Sequence, residues 1–145
     1  MIIDANILLY AVDRDSPWHD PARGWLEAQM NGAARVGLPW QSLTAFLRIS
    51  THPRALAHPL HAVDAWAYVQ AWLDAPTAWT PVATDRHAAV LRALVERYAV
   101  TGNLVSDAHL AALAIEHGVA IASADTDFAR FTEIRWVNPV RPREA

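Results

Sequence analysis

Short aliphatic runs alternate along this chain with longer segments of helical periodicity, and that alternation constrains the fold more than any other feature. It is the signature of βα units assembling a parallel sheet. Met1-Ile2-Ile3, ending at Asp4, predicts the first strand. Arg35–Leu38, Trp79-Thr80-Pro81 at an edge, Val119–Ala122 and Ile134–Val137 predict the others. A short helix is expected from Asn6 to Tyr10. A second runs to Met30, with Asp20 as N-cap and Pro21 at the first helical position. Trp40, Leu43, Phe46 and Leu47 mark a third from Pro39, ending before His52-Pro53. Further helices are expected over Ala62–Leu73, from Thr84 to Tyr98, and from Asn103 through Ile115, the last closed by His117-Gly118. Ser123–Phe128 predicts a turn into a short helix, and the proline- and histidine-rich stretch from His52 to His61 a loop or lid. The expected class is α/β, with one domain over residues 1–145.

Composition removes several chemistries. All 12 basic residues among the 145 are arginines, and cysteine is absent. Without lysine there is no Schiff-base enzyme, no P-loop and no phosphoaspartate receiver or dehalogenase-type phosphatase. Without cysteine there is no thiolate nucleophile, disulfide framework or zinc–thiolate site. Apolar runs fall far short of the roughly 20 residues of a spanning helix, so a cytoplasmic protein with no membrane partner is expected. The formal charge of 12 − 15 = −3 argues against nonspecific coating of nucleic acid, yet leaves room for an acidic pocket inside a basic rim.

The aspartates carry the functional signal. Asp4 ends the first predicted strand, Asp125 and Asp127 follow the fourth, and Asp107 lies at the start of a helix. Ligands of open α/β sheets bind beyond the carboxyl ends of the strands, so these acids can converge on one cleft. Singly, each of the later acids has a structural reading: Asp107 favours a helix dipole, and Asp125-Thr126-Asp127 suits an Asx turn and cap. Asp4 has no evident capping duty. Jointly they form a carboxylate cluster whose mutual repulsion a divalent cation would relieve, and an all-oxygen set suits Mg²⁺ or Mn²⁺.

Three segments carry a resemblance: the opening Met-Ile-Ile-Asp-Ala-Asn-Ile-Leu-Leu-Tyr-Ala, the stretch from Gly102 to Gly118, and Ser123-Ala124-Asp125-Thr126-Asp127-Phe128-Ala129-Arg130-Phe131. In order and spacing they resemble a PIN domain, more narrowly the VapC toxins of toxin–antitoxin systems. The resemblance implies a three-layer α/β/α sandwich with a mainly parallel sheet. It also implies an endoribonuclease using Mg²⁺ or Mn²⁺ on an RNA substrate, a VapB-like antitoxin, and a homodimer. Carried over by position, Asp4, Asp107 and Asp125 match the metal-binding acids, Asp127 is a second candidate in its turn, and Asn6 and Ser123 match polar residues that orient the acids. One departure stands out: the family commonly has a glutamate where Ala45-Phe46-Leu47-Arg48 places alanine, leaving Gln41, Ser42 or Thr44 to offer neutral oxygens. A binding or regulatory module of weak activity is the alternative that departure suggests, and a DNA-directed or phosphatase-like metal hydrolase would use the same acids.

Cations to guide a strand must be arginines. Arg48, Arg54 and Arg86 are candidates for a rim, and Arg130, Arg135, Arg141 and Arg143 form a basic C-terminal segment. Most of the tryptophans are expected in the core or at an interface, with Ala62–Leu73 and the region of Trp25 as contact surfaces, and the histidines are expected to be structural. Setting aside the four aspartates leaves 12 − 11 = +1 for the rest of the chain, so mild acidity is no argument against RNA.

Overall fold

A computed structural model describes residues 1–141, so Arg143 lies outside the described residues. Five short strands, β1 (Ile2–Ile3), β2 (Val36–Gly37), β3 (Ala78–Trp79), β4 (Ile121–Ala122) and β5 (Trp136–Val137), form one sheet in the order β3-β2-β1-β4-β5. Every pairing is parallel, with Ile2 opposite both Gly37 and Ile121. Hydrogen bonding continues past the strand ends. Asp4 N donates to Ala122 O at 2.9 Å, and Ser123 N to Val137 O at 3.0 Å. These bonds fix the first residues beyond β1 and β4 as firmly as the strands themselves.

Parallel strands need crossovers, and the six helices supply them on both faces. They are α1 (Ala5–Val12), α2 (His19–Met30), α3 (Trp40–Ser50), α4 (Ala62–Asp74), α5 (His87–Tyr98) and α6 (Leu104–His117). Side chains alternate across a strand, so Ile2 and Ile3 enter different layers. Ile3 packs with Ile7, Leu8, Leu26, Leu43, Phe46 and Val69 beneath α1–α4. Ile2 and Ile121 pack with Leu94, Leu113, Phe128 and Phe131 beneath α5 and α6. The result is the expected α/β/α sandwich. Between α3 and α4, Phe46 and Trp72 meet edge to face at 4.8 Å between ring centroids.

Local details depart from the sequence reading at three places. Helix α2 begins at His19, ahead of Asp20, and its N-cap Trp18 makes no side-chain capping bond; Asp20 and Pro21 sit inside the first turn, where proline's missing N–H costs nothing. Thr84 does not start α5. Its N–H and Oγ both donate to Glu116 Oε1, at 2.8 and 2.6 Å, and the helix opens at His87. Asp4 does cap a helix: its Oδ1 accepts from Ala5 N at 2.7 Å as α1 begins.

Candidate active site

The sheet order places the switch in winding direction between β1 and β4, where crossovers depart to opposite sides. At that point a crevice opens beyond the carboxyl ends of the strands. Asp4 follows β1 and Ser123 follows β4, so both stand at its mouth. Ser123 is fully buried, and its Oγ donates to Asp4 Oδ2 at 2.7 Å while accepting from Asp125 N at 3.0 Å. Asn6, in the first turn of α1, ties the two loops together. Its Nδ2 lies 3.1 Å from Asp4 Oδ2 and 3.0 Å from Ser123 Oγ, and its Oδ1 accepts from Ala124 N at 3.1 Å. Trp136 of β5 adds a support from outside, its Nε1 donating to Ser123 O at 2.9 Å. Nothing in the local sequence around Trp136 signals that contact.

The Asp125-Thr126-Asp127 turn is an Asx cap: Asp125 Oδ1 accepts from Asp127 N at 2.8 Å and opens a 3-10 turn over Thr126–Arg130. The same geometry holds both carboxylates beside α6. One oxygen from each of Asp107, Asp125 and Asp127 can lie within 4.8 Å of the others. Asp107 sits in the first turn of α6. Asp4 is outside this trio, with both of its oxygens already held by Ala5, Asn6 and Ser123, though its charge still acts on Asp107.

Electrostatics follow from this crowding. Partial burial, then the charges of Asp125, Asp4 and Asp127, push the Asp107 carboxyl up to about 7. Burial also raises Asp4, against the pull of the Ser123, Ala5 and Asn6 hydrogen bonds. Carboxylates brought so close disfavour one another's ionisation unless a cation joins them. Three carboxylates converging from two segments, with neither thiolate nor imidazole among them, are the donor set of a hard divalent cation. The residues present therefore fit a metal of that class.

On the other side of Asp107 lies a cavity of about 430 Å³ between α3 and α6, lined by Asp4, Gln41, Ser42, Thr44, Ala45, Arg48, Ser106 and Asp107 among others. Helix α3 contributes no acid to it, and Ala45 leaves open space there. Gln41 Nε2 is engaged by Ser106 O at 3.1 Å. Ser42 is 1% exposed, and its Oγ has no hydrogen-bond partner among the described residues.

Of the arginines expected at the rim and in the basic C-terminal segment, Arg48 lines the cavity and Arg130 reaches Asp127 Oδ1 at 3.3 Å. Arg54 lines a separate small depression with Arg48 and His52. Arg86 is drawn elsewhere, donating to Glu116 O at 3.0 Å, and Arg135 acts on the Met1 amine at the opposite end of β1. The histidines stay out of the site. His109 Nδ1 lies 3.0 Å from His87 Nε2, and His87 Nδ1 lies 2.6 Å from the buried Glu116 carboxylate, a network inside the α5–α6 layer.

A PIN-domain family profile matches residues 1–134. The chain is 45% identical over 138 residues to Ribonuclease VapC37 of Mycobacterium tuberculosis, covering 95% of this chain and 96% of that one. It is 42% identical over 141 residues to Ribonuclease VapC33 of the same species, covering 97% and 99%. Among solved structures, VapBC2 from Rickettsia felis, bound to a DNA fragment from its promoter, is similar in fold: TM-score 0.65, 16% identity, 94% of this chain and 96% of that chain. Fold and site thus define a PIN-domain nuclease. Within that class, the chain belongs to the VapC ribonucleases.

Proposed function

We propose that the chain is the toxin of a VapBC-type pair, an endoribonuclease that requires Mg²⁺ or Mn²⁺ and cuts RNA phosphodiesters at the cluster of Asp4, Asp107, Asp125 and Asp127. The observation that carries this reading is the convergence of Asp107, Asp125 and Asp127 within 4.8 Å at the sheet's switch point. Asp107, Asp125 and Asp127 would hold the cation, with Asp4 adding negative charge behind them. Once bound, a divalent cation supplies Lewis-acid polarisation of a phosphodiester and a more acidic water at neutral pH.

The chain's own groups do the rest. Ser123 and Asn6 hold Asp4 in one orientation, and the Asx turn fixes the Asp125 carboxylate, with Arg130 reaching Asp127 beside it. Near neutrality the Asp107 carboxyl exchanges its proton readily, so it can ionise as the cation arrives. Arg48, at the cavity, is a cation placed to receive a phosphate. A VapB-like antitoxin is the proposed partner and a homodimer the proposed assembly. A groove of about 750 Å³ between the end of α1, the 52–61 loop and α4, lined by apolar Val12, Leu60 and Tyr68 and by charged Asp13, Arg14 and Asp64, offers such a partner a surface.

The test is cleavage of total RNA by the purified chain with Mg²⁺ or Mn²⁺. Cleavage should stop with EDTA and be abolished by Asp107→Asn in a protein that still folds. Asn6→Ala and Ser123→Ala, which release Asp4 and loosen the turn that presents Asp125, should cost about 10–100-fold, the range seen for groups that orient metal-site ligands. Full activity of Asp107→Asn, or cleavage in excess EDTA, would refute the reading.

A further inference from the structure

Helix α3 borders the acid cluster with residues that the carboxylate chemistry leaves unused. Trp40, Thr44 and Arg48 are spaced by four, so they rise in successive turns along one stripe, and all three are exposed. Trp40 is 44% exposed, an unusual state for an indole at the start of a buried-faced helix whose Leu43 and Phe46 are fully covered. Thr44 Oγ donates to Trp40 O at 2.7 Å, which keeps the first turn regular. Thr44 and Arg48 also line the 430 Å³ cavity with Asp4 and Asp107, so the stripe runs along the edge of the cluster. Ser42 also lines that cavity, but its hydroxyl is sealed from solvent.

We propose that α3 is the strand guide of this nuclease: Trp40 stacks on one base, Arg48 binds a backbone phosphate, and the cavity takes the intervening nucleotide. This rests on the ribonuclease reading above and deepens it by naming the substrate form. Residues four apart on the helix rise about 6 Å, a spacing that an extended single strand can follow. A cavity of this size falls in the range of about 300–1,000 Å³ that small-molecule ligands occupy. Stacking on Trp40 requires an unpaired base, so the substrate is single-stranded or looped RNA, and a continuous duplex is excluded. Arg48 attracts one phosphate at the cavity's edge while the scissile phosphate would lie at the cation site, which sets the strand's register against Asp107.

Steady-state cleavage of a mixed-sequence 12-nucleotide RNA, single-stranded or annealed to its complement, tests this with the full chain and Mg²⁺. The single strand should be cut and the duplex resist. Trp40→Ala should raise KM about tenfold or more, as expected for loss of one stacked base, with kcat little changed, and Trp40→Phe should recover most of the loss. Arg48→Ala should raise KM and reduce the slope of log KM against log salt by about 0.7, the share of one phosphate on a single strand. Unchanged KM in Trp40→Ala and Arg48→Ala, or equal cutting of the duplex, overturns the inference while leaving the ribonuclease reading intact. A Trp40→Ala chain that changes its sedimentation coefficient but keeps its KM assigns Trp40 to a protein interface and also overturns it. If the wild-type chain cuts neither RNA and the labelled single strand does not bind it by anisotropy, both readings fail together.

Discussion

Asp107 is the residue on which the site's behaviour turns, because its carboxyl stands near 7 whereas an unfolded aspartate titrates near about 3.9. The folded, metal-free protein thus holds this proton more tightly than the unfolded chain. Its stabilising effect is present below about pH 4 and is lost as pH rises to about 7. Glu116 and Glu133, whose carboxyls are lowered, finish acting below that window, and the lowered His109 acts with the opposite sign within it. The readout is therefore a difference: in EDTA, Asp107→Asn should gain melting temperature over wild type as pH rises from 5 to 7, and the gain should level off above 7. A constant difference across that range would show that Asp107 ionises normally. Asp4 illustrates how one side chain can carry two duties. A cap for α1 and a charge beside Asp107 use the same carboxylate, so the local sequence alone cannot separate them.

At the scale of elements, two helix ends make contrasting statements. Helix α6 closes on Gly118 at φ 64, the left-handed cap that the His117-Gly118 pair predicts. Helix α5 closes on Ala99 at φ 48, where a Cβ is strained. Ala99→Gly should accordingly stabilise the chain by about 1 kcal/mol in urea denaturation, since glycine removes that strain; a loss of stability would contradict it. The α5–α6 layer depends on Glu116, which accepts from Thr84 twice and meets His87. Glu116→Ala leaves these part-buried partners without their acceptor and should cost about 1–2 kcal/mol by the same measurement, while Glu116→Gln, which keeps an acceptor for Thr84, should cost less. The elements themselves were legible because their periodicities differ. The start of α5 was not, because Thr84 is recruited by a glutamate 32 residues away.

For the whole molecule, the site exists only when β1, β4 and α6 are assembled, since Asp4, Asp125 and Asp107 come from three separate segments. A cation that binds this assembly and not the unfolded chain raises stability by mass action, by about 2.7 kcal/mol at a hundredfold excess over its dissociation constant. Mg²⁺ or Mn²⁺ should therefore raise the melting temperature by several degrees relative to EDTA, and Asp107→Asn should blunt the rise; an equal rise in the mutant would place the ion elsewhere. By itself the sequence determined the βα alternation, the parallel sheet and the four aspartates with Asn6 and Ser123 beside them. Hydrophobic periodicity and strand-end position are local properties, readable over a few residues. Only the tertiary structure decided that Asp127 joins Asp107 and Asp125 while Asp4 is held back by Ser123 and Asn6, and that Arg86 is diverted to Glu116. It alone placed Ala45 and the unpartnered Ser42 against an open cavity and left Trp40 exposed beside it. Those outcomes depend on distances between residues far apart in the chain, set by how helices pack across the sheet, and no local pattern encodes them.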